Sequence, residues 1–179
     1  ISYLDLDDDG DTDIFIAADT FREGEGVRQP VEAYMNNGSY EFTIDRGFFG
    51  DNPALVQFPR KSIIGDYNGD GKEDIYIADT GWDDHPWPGA PQILILSSAT
   101  GYKTRVLEEY NGFQHGAASA DVDSDGDLDI IGTLTSSSTR SDTPGVFMLI
   151  NDGSGNFKLR KLHSLPSKNH YYTVELMDV

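Results

Sequence analysis

The stretch Asp121-Val122-Asp123-Ser124-Asp125-Gly126-Asp127-Leu128-Asp129, running into Ile130-Ile131, decides how the rest of this sequence reads. Its form, D-x-[DN]-x-D-G-x-x-D, recurs at Asp5-Leu6-Asp7-Asp8-Asp9-Gly10-Asp11-Thr12-Asp13 and at Asp66-Tyr67-Asn68-Gly69-Asp70-Gly71-Lys72-Glu73-Asp74. The copies open at residues 5, 66 and 121, and Asp178 stands where a fourth would open. Alternate carboxylates at positions 1, 3 and 5 of a tight loop turn their oxygens inward. A glycine at position 6 permits the sharp turn, and a main-chain carbonyl at position 7 adds to an oxygen shell of calcium type. An EF-hand loop closes on Glu at position 12. Here position 12 is Ile16, Ile77 and Gly132, so the shell has to close at position 9, on Asp13, Asp74 and Asp129.

The alternative is an acidic, glycine-bearing turn that binds nothing, and three complete copies speak against it. Hard oxygen donors and the absence of Cys favour calcium over zinc or copper, with magnesium the second choice. The second copy has Asn68 at position 3, leaving three carboxylates where the others have four, so its site is expected to be the weakest.

The 179 residues carry 13 basic and 31 acidic side chains, a formal charge of −18. Much of that excess lies in the three loops, which marks metal sites rather than an acidic tail. Nucleic acid is excluded as a partner, because neutralising phosphates needs a basic face. No membrane-length apolar run or signal peptide is visible, so membrane insertion is not expected. The sequence opens inside a repeat, at Ile1-Ser2-Tyr3-Leu4, and reads as a fragment of something longer. Calcium loops of modest affinity suit an extracellular, cell-surface or periplasmic setting.

Each repeat reads as four short strands. The first is Ser62–Gly65, Ala117–Ala120 and a partial Thr173–Leu176, whose small residues suit crowding near an axis. The acidic loop leads to the second, Ile14-Phe15-Ile16, Ile75-Tyr76-Ile77 or Ile130-Ile131, β-branched and aromatic and so strand-like. A long loop ends near Pro30, Pro91 and Pro144. The third strand is Val31–Met35, Gln92–Leu96 and Val146–Ile150; after a glycine-bearing turn the fourth is Tyr40–Ile44, Tyr102–Leu107 and Phe157–Leu162. No helix is predicted. Approximate repeats are 1–61, 62–116 and 117–172, with 173–179 starting a further unit. Four antiparallel strands per repeat is the pattern of a β-propeller blade, giving an all-β chain of three blades.

The acidic loop, the strand after it, and hairpins such as Asn36-Asn37-Gly38-Ser39-Tyr40-Glu41-Phe42 and Asn151-Asp152-Gly153-Ser154-Gly155-Asn156-Phe157 resemble FG-GAP/VCBS repeats. These are calcium-binding blades of integrin α-subunit heads and of many bacterial surface proteins. The resemblance spans essentially the whole chain, although only Gly89-Ala90-Pro91 is similar to half of the name-giving motif. It implies three Ca2+ sites: Asp5, Asp7, Asp9 and Asp13; Asp66, Asn68, Asp70 and Asp74; Asp121, Asp123, Asp125 and Asp129. Asp11, Lys72 and Asp127 would contribute main-chain carbonyls. It also implies a ring of about seven blades, so missing blades or further copies would complete the three present here.

In such a blade, the loop after the second strand and the connection between blades share the face opposite the metal loops. That face would gather Trp82, Asp83, Asp84, His85 and Trp87 with Phe21, Arg22, Glu23 and Arg28. The connections would add Arg60, Lys61, His115, Asn169, His170 and Tyr171. Candidate ligand-binding residues are Trp82, Asp83, His85, Trp87 and His115, with the tryptophans as a platform for a sugar ring or a partner side chain. The plainer alternatives are a proline-stiffened loop that packs its tryptophans on its own blade, and a hydrogen-bonding strand-end role for His115. No nucleophile elbow, H-E-x-x-H or phosphate loop is present, and the acid pairs are committed to metal, so no catalytic residue is expected. The expected function is a calcium-stabilised adhesion or binding module for glycan or protein. The alternatives are a propeller within a polysaccharide lyase or hydrolase, and a structural spacer.

Overall fold

The computed structural model describes residues 1–19, 26–85, 87–135, 145–162 and 171–176. The strands, in chain order, are β1 (Ser2–Leu4), β2 (Asp13–Ile16), β3 (Gln29–Pro30), β4 (Glu32–Asn36), β5 (Phe42–Asp45), β6 (Leu55–Val56) and β7 (Pro59–Gly65). They continue with β8 (Asp74–Asp79), β9 (Ala90–Leu96), β10 (Lys103–Gly112), β11 (Gln114–Ala120), β12 (Asp129–Leu134), β13 (Val146–Asn151) and β14 (Phe157–Lys161). No helix occurs among the described residues.

Three four-stranded antiparallel sheets result: β1-β2-β4-β5, β7-β8-β9-β10 and β11-β12-β13-β14. Each is a meander in which every strand pairs with the next along its sheet, and no sheet closes on itself. A two-stranded ribbon, β3 with β6, ties the loop after β2 to the connection entering the second sheet. The sequence pattern gave no sign of that ribbon, because two-residue strands carry no periodicity.

Why the sheets stack follows from which faces are apolar. Leu4, Phe15 and Ala33 of the first sheet pack against Ile75, Ile77, Ile93 and Ile95 of the second. The second sheet's other face, with Tyr76, Ala78 and Leu94, packs against Ile130, Phe147 and Leu149 of the third. β8 is therefore buried along its whole length, which explains its unbroken apolar run; a strand covered on both faces cannot alternate. In the first sheet, β2 alternates buried and half-buried residues because only one face is covered. The first strands of the three sheets lie side by side, β7 against both β1 and β11, and Ser2 Oγ meets Ser62 Oγ at 2.6 Å.

Two expectations about strands need correction. β7 and β11 begin at Pro59 and Gln114, three residues before the expected starts at Ser62 and Ala117. Each extension crosses a register shift, between Pro59 and Lys61 or between Gln114 and Gly116, and this breaks the pattern a sequence reading relies on. In the second sheet the early start is fixed by buried Asp79 at the end of β8, whose carboxylate accepts from Gln57 N (2.7 Å) and Phe58 N (2.9 Å). The expected partial strand at Thr173–Leu176 is not formed: residues 171–176 carry no ladder, and Tyr172–Thr173 run past Gly116. A strand needs a ladder of main-chain hydrogen bonds to a neighbour, and these residues are not assigned to one. Asp178 lies outside the described residues.

Candidate metal centre

Each acidic loop links the first strand of a sheet to the second, and its backbone is held by its own carboxylates. Position 1 accepts from the main chain of positions 5 and 6. Asp5 takes Asp9 N (3.2 Å) and Gly10 N (3.0 Å), Asp66 takes Asp70 N (3.2 Å) and Gly71 N (2.8 Å), and Asp121 takes Asp125 N (3.1 Å) and Gly126 N (3.0 Å). Position 5 accepts from position 7 at 2.9–3.1 Å in all three loops. The repetition of these bonds makes the loops structurally equivalent as well as alike in sequence.

The position-6 glycines hold φ of +92°, +85° and +100° at Gly10, Gly71 and Gly126, and nothing lies within 4 Å of where a Cβ would stand. Glycine is thus required here by backbone conformation and not by crowding. Gly126→Ala is expected to destabilise the fold by about 1–2 kcal/mol, the cost of a left-handed L-residue, measurable by urea unfolding; an unchanged midpoint would contradict this. Position 4 is left-handed as well, at Asp8 (φ 62°), Gly69 (73°) and Ser124 (64°), a feature the motif did not disclose.

Two carboxylate trios converge: Asp5, Asp7 and Asp13, and Asp121, Asp123 and Asp129, with ligand oxygens within 4.8 Å of one another in each trio. Burial, followed by the neighbouring carboxylates Asp9, Asp13 and Asp5, raises the Asp7 pKa above the ordinary carboxylate value. For exposed Asp123, partial loss of hydration within the loop and then Asp125, Asp129 and Asp121 do the same. Oxygen donors alone, crowded negative charge and a backbone already turned around that point form a donor set that fits a hard divalent cation.

The second loop differs in the way Asn68 requires. Its amide donates to Ser97 O (3.0 Å) and its Oδ1 accepts from Asp70 N (3.0 Å), while Ser97 Oγ sits 2.9 Å from both Asp70 carboxylate oxygens. Lys72 adds an ammonium that pairs with Asp8 of the first loop. Internal hydrogen bonds and a cation thus satisfy part of what a metal would otherwise satisfy. At position 7, Asp11 and Asp127 turn their side chains toward the hairpin glycines Gly38 and Gly153, where a Cβ would collide with the carboxylate.

The residues at position 9 do more than the motif implied. Asp13, Asp74 and Asp129 are fully buried. One oxygen of each takes the N–H of position 2: Leu6 (2.9 Å), Tyr67 (2.7 Å) and Val122 (2.9 Å). The other takes the N–H at or just past the end of the third strand: Asn36 (2.7 Å), Ser97 (2.7 Å) and Asn151 (2.8 Å). Asn36 and Asn151 return a bond to the carbonyl of position 8, Thr12 (3.0 Å) and Leu128 (3.1 Å), and Asn151 Nδ2 also reaches Tyr67 O at 2.8 Å in the neighbouring loop. These three partners were missed. The signal was in the hairpins Asn36-Asn37-Gly38 and Asn151-Asp152-Gly153, whose leading Asn stands at the same offset from position 9 to within one residue.

On the opposite side, the candidate ligand residues divide. Trp82 is half-buried, edge-on to Phe58 at 5.7 Å and against Gly26. Asp83 is paired with Arg60. Trp87 is 41% exposed, holds φ +49°, and meets His85 edge-on at 5.3 Å. His115 lies between Phe113 and Tyr172, with ring centroids 5.3 and 5.2 Å away. Its pKa is lowered by burial and then by Arg60, against a smaller opposing effect of Asp83. Arg60, Asp83 and His115 therefore influence one another, while the two tryptophans face different neighbours. Phe21, Arg22, Glu23, Asn169 and His170, expected on this face, lie outside the described residues.

Residues 5–77 match the family model of the FG-GAP-like repeat, from the first acidic loop through most of β8. That segment is an FG-GAP-like repeat, as the FG-GAP/VCBS resemblance anticipates. No curated protein matches the chain.

Proposed function

We infer, from the FG-GAP-like repeat carried by residues 5–77 and the return of its loop at Asp121, that this chain forms three blades of a β-propeller-type module. Calcium stabilises it, and it works by binding glycan or protein at an exported or cell-surface location. The observation that carries the calcium reading is the pair of carboxylate trios at equivalent points of the first and third sheets. Calcium would supply neutralisation of those trios and lock the link between first and second strands. Position-1, -3, -5 and -9 side chains and position-7 carbonyls are the groups that would hold it, most weakly at Asn68.

The stacking supports further blades. Ile14 and Ile16 stand one and three residues after position 9, as Ile75 and Ile77 do. In the second sheet those positions are buried against a neighbour, whereas in the first sheet they are only half-buried. That face is built to take another sheet, from further blades or from another copy. A solution mass above that of one chain would identify copies as the source.

Ligand binding is assigned to the face opposite the acidic loops, where Trp87 stays exposed in a left-handed conformation that a bulky residue rarely adopts. Trp87→Ala should abolish binding to a printed glycan array while leaving the melting temperature unchanged. Trp82→Ala, which removes a ring packed on Phe58, should lower the melting temperature. Unchanged array binding by the Trp87 variant would remove the loop face from the reading. The reading is of binding without turnover; release of products from acidic polysaccharides would overturn it.

A further inference from the structure

A cleft of about 210 Å3 opens between the first and second sheets on the acidic-loop side, with Phe48 and Tyr102 at one wall and Asp7, Asp8, Lys72 and Ser98 around them. The aromatic wall is anchored in the core. Phe48 and Tyr102 are half-buried with centroids 5.7 Å apart, both rings touch Phe49, and Tyr102 Oη donates to Glu73 O at 3.1 Å. The polar wall is open to solvent by comparison: the paired Asp8 and Lys72 side chains are 53% and 43% exposed. Asp8 is at position 4 of its loop and outside the metal-binding positions.

The chemistry of this lining narrows the ligand. With Asp7 committed to the metal, Asp8 and Lys72 pair and balance each other, so the polar wall carries no net charge that would draw an anion. Fixed aromatic rings beside acceptors and one donor suit a molecule with an apolar face and a rim of hydroxyls. The volume lies below the roughly 300–1,000 Å3 of pockets that take drug-sized ligands, so it suits one ring and not an oligosaccharide. We propose that this cleft binds a single neutral pyranose unit of a glycan, its ring face against Tyr102 and Phe48 and its hydroxyls on Asp8 and Lys72. The proposal rests on the reading of the chain as a binding module, but it places a second site on the side away from Trp87.

The test uses the calcium-saturated chain and saturation-transfer NMR with methyl glycosides of glucose, galactose and mannose, and with methyl glucuronide. Ala99 is exposed and lines the cleft, so Ala99→Trp fills it without disturbing the core. At least one neutral glycoside should give a saturable signal that is lost in Ala99→Trp and weakened in Asp8→Asn, with melting temperatures unchanged. No signal from any neutral glycoside overturns the proposal, as does a signal that survives Ala99→Trp or tighter binding of the glucuronide. A signal that survives Ala99→Trp and disappears in Trp87→Ala belongs to the opposite face and leaves the binding-module reading standing.

Discussion

Saturating calcium is expected to raise the melting temperature of the metal-stripped chain by roughly 10–20 °C, and excess chelator to reverse it. A ligand held only by the folded state at a hundredfold its dissociation constant adds about 2.7 kcal/mol per site. The two complete loops together then give about 5 kcal/mol, and each kcal/mol moves a domain of this size by roughly 2–4 °C. The effect has a distinctive pH signature. Asp7, Asp123 and Asp127 have pKa values raised above the ordinary carboxylate value, chiefly by partial loss of hydration in the loop and then by neighbouring carboxylates. A group that binds its proton more tightly when folded contributes stability below its unfolded value and loses it as pH rises through its folded value. The metal-free chain should therefore become more stable on mild acidification, as these groups take up protons. The calcium-loaded chain should lose stability over the same interval, because protonated carboxylates release the metal. Thermal melts at several pH values, with calcium and with chelator, read both slopes. Parallel slopes, or no calcium shift at neutral pH, would sink the calcium reading of the loops.

What the sequence disclosed, and what it hid, follows from where information sits along the chain. The acidic loops were legible because ligand spacing is local: position 1 holds the N–H groups of positions 5 and 6 by bonds four and five residues apart in sequence. The strands were legible where one face is covered or both are, as in β2 and β8. Their ends were not, since Pro59 and Gln114 enter their ladders through register shifts that break the period of two. The link from Asp129 to Asn151 was hidden because it joins residues 22 apart whose pairing depends on sheet register. On the opposite side the sequence suggested one tryptophan platform. It could not show that Phe58 takes Trp82 and leaves Trp87 outward, since that depends on how the β7 entrance packs.

That same register-dependent bond yields the second large effect. Asp129→Ala should destabilise the chain by about 3 kcal/mol even in excess chelator, where metal contributes nothing. Its carboxylate is fully buried and is the acceptor for Val122 N and Asn151 N, at 2.9 and 2.8 Å. Removing it strands two donors, and each buried unsatisfied group costs about 1–3 kcal/mol. Asp123→Ala makes the opposite case. Its side chain is exposed, and its charge is opposed by Asp125, Asp129 and Asp121, so in chelator the substitution should leave stability unchanged or slightly raised. In calcium both variants should lose the stabilisation of the third site. Urea unfolding of both variants under the two conditions separates a ligand that serves only the metal from one that also fastens the third strand to the loop. If the two variants unfold alike in chelator, the position-9 aspartate has no role of its own, and the threefold pattern of Asp13, Asp74 and Asp129 would be metal chemistry alone. One side chain can serve both roles: the oxygens that accept from Val122 N and Asn151 N each have a further lone pair, which on the calcium reading would face the cation. On that reading, folding of the hinge and assembly of the site would be one event, completed when the third strand reaches the loop and Asn151 N meets Asp129.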